Sequence, residues 1–363
     1  MTKILFVRLR LIGDVVFTTP LVRAVRRAYP TAHLAYVVEP AAAPVLEHNP
    51  HLNELIIAAR RRGWRSAADD LALARRLRRA RYDIAIDLHG GPRSAWLTWA
   101  TGAPERIGYD ISGRRWMYTR RVPRSKALLP RHSVENQWDL LMALPGWTTR
   151  PDPGGDGVEM PLDPNADRRI GDRLRLAGVV PGDEVIVMHV SASNPFRRWP
   201  EASFADAASA LASDHARRRI VLSSGPSDRE AAARVAAEAR ARLGAYSSRV
   251  VDLGEFDLQE LRALIARSRL FIGGDTGPLH IAATTDTPVV GIYGPTLSAR
   301  SGPWRSGSTI SIAVEVSGLP CRPCDQRVCA PGDFRCLTRI DAASVVAEAR
   351  RALASGNVSA KRA

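Results

Sequence analysis

Short β-branched runs alternate with amphipathic helical stretches in two successive series, and that rhythm restricts the 363-residue chain to α/β folds on parallel sheets. The first series opens with Lys3–Val7 (KILFV), a loop through Gly13 and a helix reaching about Tyr29, in which Pro20 suits a first turn. Further strands are expected at His33–Val38, Glu54–Ile57 and 83–88. Between the last two, Leu73, Leu77 and Ala80 mark the buried face of a helix. A helix over 132–144 closes the series. The interval 145–164 (PGWTTRPDPGGDGVEMPLDP) has no helical period and reads as a linker. The second series has strands at 184–190, 219–223, 270–272 and Val289–Tyr293, with helices near 201–213, 227–242, 257–268 and 278–285. Two doubly wound, Rossmann-like domains are therefore expected, 1–150 and 166–340, joined by 151–165. A helix over 341–354 is expected to pack back on the first domain, followed by a disordered tail, 355–363. Paired domains of this kind bind ligands in a cleft facing the carboxyl ends of their sheets.

With 45% hydrophobic residues the chain can fill two cores, and no apolar run approaches the ~20 residues that span a bilayer. The apolar start is broken by Arg8 and Arg10, too early for a signal peptide, so the cytoplasm is the expected compartment. A net charge of +15 points to an anionic partner. Basic residues gather at Arg60, Arg61, Arg62 and Arg65, from Arg75 to Arg81, and from Arg114 to Arg131, all in the first half. Arginine-rich solvated helix faces are the other reading of these clusters. Nucleic acid is not expected, because no zinc-finger, helix-turn-helix or RNA-recognition signature accompanies the charge.

The sharpest local feature is FIGGDTGPLH, 271–280. A buried strand runs into Gly273 and Gly274, then Asp275, Thr276, Gly277 and Pro278, and a helix carrying His280 begins. Glycines there let an anion approach the backbone, and the free N–H groups of the turn favour phosphate. An ordinary strand-to-helix turn, with Asp275 or Thr276 as N-cap, is the alternative. Neither a GxGxxG nor a Walker motif occurs, which argues against dinucleotide-binding and P-loop enzymes. In RLRLIGDVVFTTP, 8–20, Asp14 either caps its helix or serves as general base for an acceptor hydroxyl. In HVSASNPFRRWPE, 189–201, Ser191, Ser193 and Asn194 precede Arg197, Arg198 and Trp199. These guanidinium groups could neutralise a phosphate leaving group without a metal. Arg300, Trp304 and Arg305 are expected at another wall of the cleft. Cys321, Cys324, Cys329 and Cys336, spaced C-x2-C-x4-C-x6-C, would suit a structural zinc site or remain unligated thiols. Disulfides are less expected in a reducing compartment.

Taken in order, RLRLIGDVVFTTPLVRAVRRAYP, RRWPE, GGDTGPLHIAATTDTPVVGIYGPT and the cysteine segment resemble glycosyltransferase family 9, the bacterial heptosyltransferases of lipopolysaccharide assembly. The resemblance spans nearly the whole chain. It implies the GT-B architecture, inverting transfer without a required metal cofactor, and ADP-heptose as donor. It also implies an anionic lipid A–core acceptor met at the cytoplasmic face of the inner membrane. Asp14 matches the family's base, and Asp275, Thr276, Gly277 and His280 its donor motif. Gly13, Ser191, Arg198, Gly274 and Pro278 are expected beside that donor. Arg197 stands where the family commonly has a lysine, keeping the charge but changing a point cation to a planar fork. The family's acidic ribose contact corresponds to Asp228 or Glu230, and its cysteine segments suggest a structural clip.

Overall fold

The computed structural model describes residues 1–59, 65–124, 131–190 and 194–360. Arg60, Arg61, Arg62, Ser191 and Ser193 lie outside the described residues, as do 361–363 of the expected tail. The chain divides into two compact units, Met1–Pro161 and Leu162–Ala363.

Six parallel strands form the sheet of the first unit: β1 (Lys3–Val7), β2 (His33–Val38), β3 (Glu54–Ile57), β4 (Ile84–Asp87), β5 (Glu105–Tyr109) and β6 (Arg120–Val122), in the order β3-β2-β1-β4-β5-β6. β1 is buried from Ile4 to Val7, as an all-parallel sheet covered on both faces requires. Its core joins Leu5, Val7 and Val37 to Leu77 and Leu97 of the covering helices. The single helix expected up to Tyr29 is two, Ile12–Val16 and Thr19–Ala28, with Pro20 in the first turn of the second. The helix expected over 132–144 stops at Trp138 and resumes as one tight turn, Leu141–Ala143.

Much of the expected linker is anchored. Arg27 Nη2 pairs with Asp156 at 2.6 Å and Arg23 Nη1 with Glu159 at 2.8 Å, so 156–159 belongs to the first unit. The interval also ends earlier than expected. Asp163 caps a helix, Pro164–Leu176, by accepting from the N–H groups of Asn165 and Ala166.

The second unit repeats the topology with β7 (Glu184–His189), β8 (Arg218–Ser223), β9 (Val250–Val251), β10 (Leu270–Gly274), β11 (Val289–Tyr293) and β12 (Ser311–Glu315), in the order β12-β11-β10-β7-β8-β9. In each sheet the order reverses between the first and fourth strands, β1 and β4 or β7 and β10. That is the point at which doubly wound sheets open a crevice at their carboxyl ends. The last helix, Ala342–Ala360, buries Val345, Val346, Ala349, Ala352 and Leu353 in the core of this second unit. The helix runs on to Ala360, through much of the segment expected to be disordered. Among the described residues, no helix is long and apolar enough to cross a membrane.

Candidate functional site

The reversal point of the second unit collects the residues singled out in the sequence. β10 ends at Gly274, and the next residue, Asp275, is buried at 2% exposure. Thr296 Oγ1 donates to Asp275 Oδ2 at 2.5 Å, Arg197 Nη1 lies 3.4 Å from the same oxygen, and His280 Nε2 lies 3.4 Å from Oδ1. Burial by itself would raise the Asp275 carboxyl. His280, Arg197 and Thr296 outweigh it and hold the group below the usual carboxylate range, hence ionised. Arg197 is fixed twice more: Nη1 donates to the Asp275 carbonyl and Nε to Gln326 Oε1, both at 2.8 Å. Its Nη2 edge is left without a protein partner among the described residues. A Cβ on Gly274 would stand 3.3 Å from the Arg197 carbonyl, so glycine lets this loop close over the strand end.

Thr276 occupies the N-cap position of the helix Gly277–Ala282, but its hydroxyl makes no capping bond and turns to the Gly274 carbonyl at 3.3 Å. Pro278 lies in the first turn and His280 is buried within the helix. Thr276 thus takes the N-cap position that the alternative expected, without the side-chain bond of a capping residue.

Arg198 Nη2 pairs with Asp228 Oδ1 at 2.9 Å, and Ser227 Oγ donates to Asp228 Oδ2 at 2.9 Å. Asp228 is buried, while Glu230 is exposed on the helix Arg229–Leu243, so of the two acidic candidates only Asp228 is held at the strand ends. His189, the last residue of β7, bonds Ser223 Oγ through Nδ1 at 3.0 Å, and burial lowers its pKa to about 4. Its folded pKa lies below the unfolded value, so the unfolded chain takes up the proton first and stability falls as pH drops from about 6.5 to about 4. This one histidine is expected to remove about 2 kcal/mol between pH 7 and pH 5. Denaturant titrations at the two pH values should show that loss, and a His189→Asn protein should lack it.

Arg305 does not line the site. It donates to the carbonyls of Ala282 and Thr287 at 2.8 and 2.9 Å, closing the carboxyl end of the helix that begins at Gly277, and burial lowers its pKa to about 10. The four cysteine thiols are free, and among the described residues no group of three or more His, Cys, Asp or Glu side chains is arranged to hold a metal. The zinc reading of these cysteines thus does not fit this arrangement.

In the first unit, the reversal point lies at the ends of β1 and β4. Arg8 is buried there, donating through Nη1 to the Leu88 carbonyl at 2.6 Å and through Nε to the Arg10 carbonyl at 3.1 Å, while Nη2 pairs with the Asp14 carboxylate. Gly13 is buried in the short helix that carries Asp14. Asp87 ends β4, fully buried, accepting from Tyr118 Oη at 2.6 Å, Ser94 Oγ at 3.0 Å and the N–H groups of His89 and Gly90 at 2.9 Å. Burial outweighs these donors and raises its pKa. Burial, then Arg8 and Arg10, lower His89 to about 4, which leaves it neutral at pH 7. A cavity of about 60 Å³ opens here between Leu9, Arg10, Glu39, His89 and Arg93.

Residues 71–332 match the family model described as glycosyltransferase family 9 (heptosyltransferase). The chain belongs to glycosyltransferase family 9. It is 30% identical to lipopolysaccharide heptosyltransferase 3 of Escherichia coli, over 96% of this chain and 98% of that protein. The glycosyl transferase family 9 structure from Veillonella parvula superposes with a TM-score of 0.83 at 24% identity, covering 98% of both chains. E. coli ADP-heptose lps heptosyltransferase II does so with a TM-score of 0.76 at 20% identity, over 98% of this chain and all of that one. These likenesses bear out the GT-B expectation. Within a family 9 glycosyltransferase, five residues went unselected in the sequence: Arg8, Asp87, His89, Thr296 and Gln326. All five stand inside or beside segments already singled out, Gln326 between Cys324 and Cys329, but nothing local marks Gln326 as a partner of Arg197.

Proposed function

We propose that this glycosyltransferase moves a heptose from ADP-heptose, with inversion and without a metal, to a hydroxyl of the lipopolysaccharide inner core, either lipid A–Kdo or an already heptosylated core. The carrying observation is Arg197, whose guanidinium Gln326 and the Asp275 carbonyl orient at the donor turn. A guanidinium so placed meets the charge that grows on the departing diphosphate, helped by the N–H groups at Thr276 and Gly277. Asp228 takes the ribose hydroxyls. Asp14, held in place by Arg8, removes the proton of the acceptor hydroxyl as it attacks the anomeric carbon and the bond to ADP breaks. The names of the relatives support the sugar and the nucleotide. The test is an assay of the purified protein against ADP-heptose, UDP-sugars and GDP-sugars with defined core acceptors. Transfer from ADP-heptose alone is expected, and transfer only from another nucleotide sugar overturns the proposal.

The acceptor is lipid-borne in this reading, which places the enzyme at the cytoplasmic face of the inner membrane. Trp99 and Trp116 support it: they are 42% and 57% exposed with ring centroids 5.7 Å apart. Arg115 adjoins them, and the Arg78 guanidinium lies over Gly102, just past the helix that carries Trp99. Neither arginine has an ion-pair partner among the described residues. Interfacial tryptophans flanked by cations suit an anionic bilayer surface. Co-sedimentation with phosphatidylglycerol vesicles is expected to fall at least tenfold in Trp99→Ala/Trp116→Ala. Equal binding by the wild type to purely zwitterionic vesicles would contradict the electrostatic part.

A further inference from the structure

The cysteine-rich segment remains without a role once the metal arrangement is set aside, yet it is tied to the donor site at six places. Arg322 Nη2 donates to the Thr296 carbonyl at 2.6 Å, and the Cys324 N–H donates to the Pro295 carbonyl at 3.2 Å. The Phe334 ring meets Phe196 edge to face with centroids 5.3 Å apart. Leu337 lies so close over Gly294 that a Cβ there would stand 2.6 Å from its Cγ. Trp199 Nε1 donates to the Ile340 carbonyl at 2.8 Å. Between these anchors, Gln326 Oε1 accepts from Arg197 Nε and from Asn194 Nδ2, each at 2.8 Å. The segment thus straps the loop after β7 to the loop after β11.

We infer that Gln326 is a positioning residue for the donor diphosphate: through one carbonyl oxygen it sets the plane of the Arg197 guanidinium, and the cysteine segment exists to hold Gln326 there. An arginine has four rotatable side-chain bonds and samples many orientations when exposed, so an anion pairing with a free Arg197 would bear the cost of ordering it. Two fixed points remove that cost. Gln326 takes Nε and the Asp275 carbonyl takes Nη1, which leaves Nη2, without a protein partner among the described residues, for a phosphate oxygen. Asn194 completes the bracket, because its Oδ1 accepts the Phe196 N–H at 3.0 Å and fixes the turn Pro195–Arg197 from within. Gln326 sits at φ 59°, a left-handed conformation that a long side chain adopts when its surroundings require it. A lysine at 197 would have no Nε–H for such a bracket, so the glutamine and the arginine make sense as a pair.

The inference rests on the reading of Arg197 as a donor-phosphate contact, and the experiment separates the two. ADP affinity is measured by calorimetry on the full-length protein for Arg197→Ala, Gln326→Leu, Gln326→Glu and the double variant Arg197→Ala/Gln326→Leu. Expected are about a tenfold or greater loss for Arg197→Ala and a three- to tenfold loss for Gln326→Leu. A loss at least as large is expected for Gln326→Glu, whose carboxylate keeps both bonds but offsets the Arg197 charge beside the diphosphate, and no further loss when Gln326→Leu is added to Arg197→Ala. If Arg197→Ala leaves ADP affinity unchanged, the donor reading itself fails. If Arg197→Ala weakens ADP but Gln326→Leu does not, or if the two losses add, Gln326 acts independently of Arg197 and the inference is overturned. Should Gln326→Leu fail to fold, Asn194→Ala carries the same test from the other side of the bracket, with the same non-additivity expected.

Discussion

Asp14→Asn is expected to lower kcat by about 10² to 10⁴, the usual contribution of a positioned general base, while leaving ADP affinity within about twofold of wild type. The substitution is nearly isosteric, and Arg8 keeps its bonds to the Leu88 and Arg10 carbonyls, so the buried guanidinium retains two acceptors when the charge of Asp14 is lost. Collapse of the first unit is therefore not expected, and thermal melting should confirm that before kinetics are read. ADP affinity should hold because the residues assigned to the diphosphate all lie in the second unit. A transition-state role predicts that kcat and kcat/KM for the acceptor fall together, whereas loss of ground-state binding alone would raise KM and spare kcat. Arg8→Ala makes a useful companion. It frees Asp14 from its ion pair and should reduce kcat less than Asp14→Asn does, since the base is misplaced but present. Normal turnover by a folded Asp14→Asn protein would remove Asp14 from the mechanism.

Strands and crevices were legible in this sequence to different degrees, and the reason is burial. β1, β2, β7, β10 and β11 are runs buried on both faces and announce themselves as continuous β-branched stretches. The strands that went unread lie at or near the sheet edges: ERIGY of β5, RRV of β6, the two residues of β9 and SIAVE of β12, which alternates between exposed and half-buried positions. Charge interrupts the apolar signal in β5 and β6, where on the edge strand β6 it also opposes edge-to-edge pairing, while β9 is only two residues long and β12 has one half-exposed face. The helix Pro164–Leu176 is not among the expected elements, because Asp163–Pro164 at the end of the expected linker resembles a turn, although an aspartate cap followed by proline is equally a helix start. The donor turn was legible because its chemistry is local, with Gly274, Asp275, Thr276 and Gly277 consecutive in the chain. Gln326 was not, because it reaches Arg197 across 129 residues and only the folded path of the cysteine segment brings the two together.

Replacing Asp275 by alanine should have the largest effect on the second unit. Three groups lose their partner at once: Thr296 Oγ1, His280 Nε2 and one face of Arg197, in surroundings where Asp275 is 2% exposed. Leaving the buried Thr296 and His280 groups short of an acceptor costs about 1 to 3 kcal/mol, while Arg197, 30% exposed, regains water where the carboxylate is lost. For a unit of this size that corresponds to a melting temperature lower by roughly 5 °C. Asp275→Asn keeps the acceptor for Thr296 and should fall between the two, which separates the loss of charge from the loss of shape. The acid limb gives a second readout. Because the folded pKa of Asp275 is depressed, its contribution is fully present above the unfolded carboxyl pKa and is lost as pH falls through the folded value. His189 acts in the opposite part of the range, its loss complete by about pH 4, so the two windows barely overlap. Asp275→Asn should therefore shrink the acid limb, which Asp275 shares with Asp214, Glu260 and other carboxylates held below their usual range, and leave the His189 stage intact. An Asp275→Asn protein with an unchanged acid limb below pH 4 and undiminished ADP affinity would show that this carboxylate neither secures the turn nor orders Arg197 for the donor.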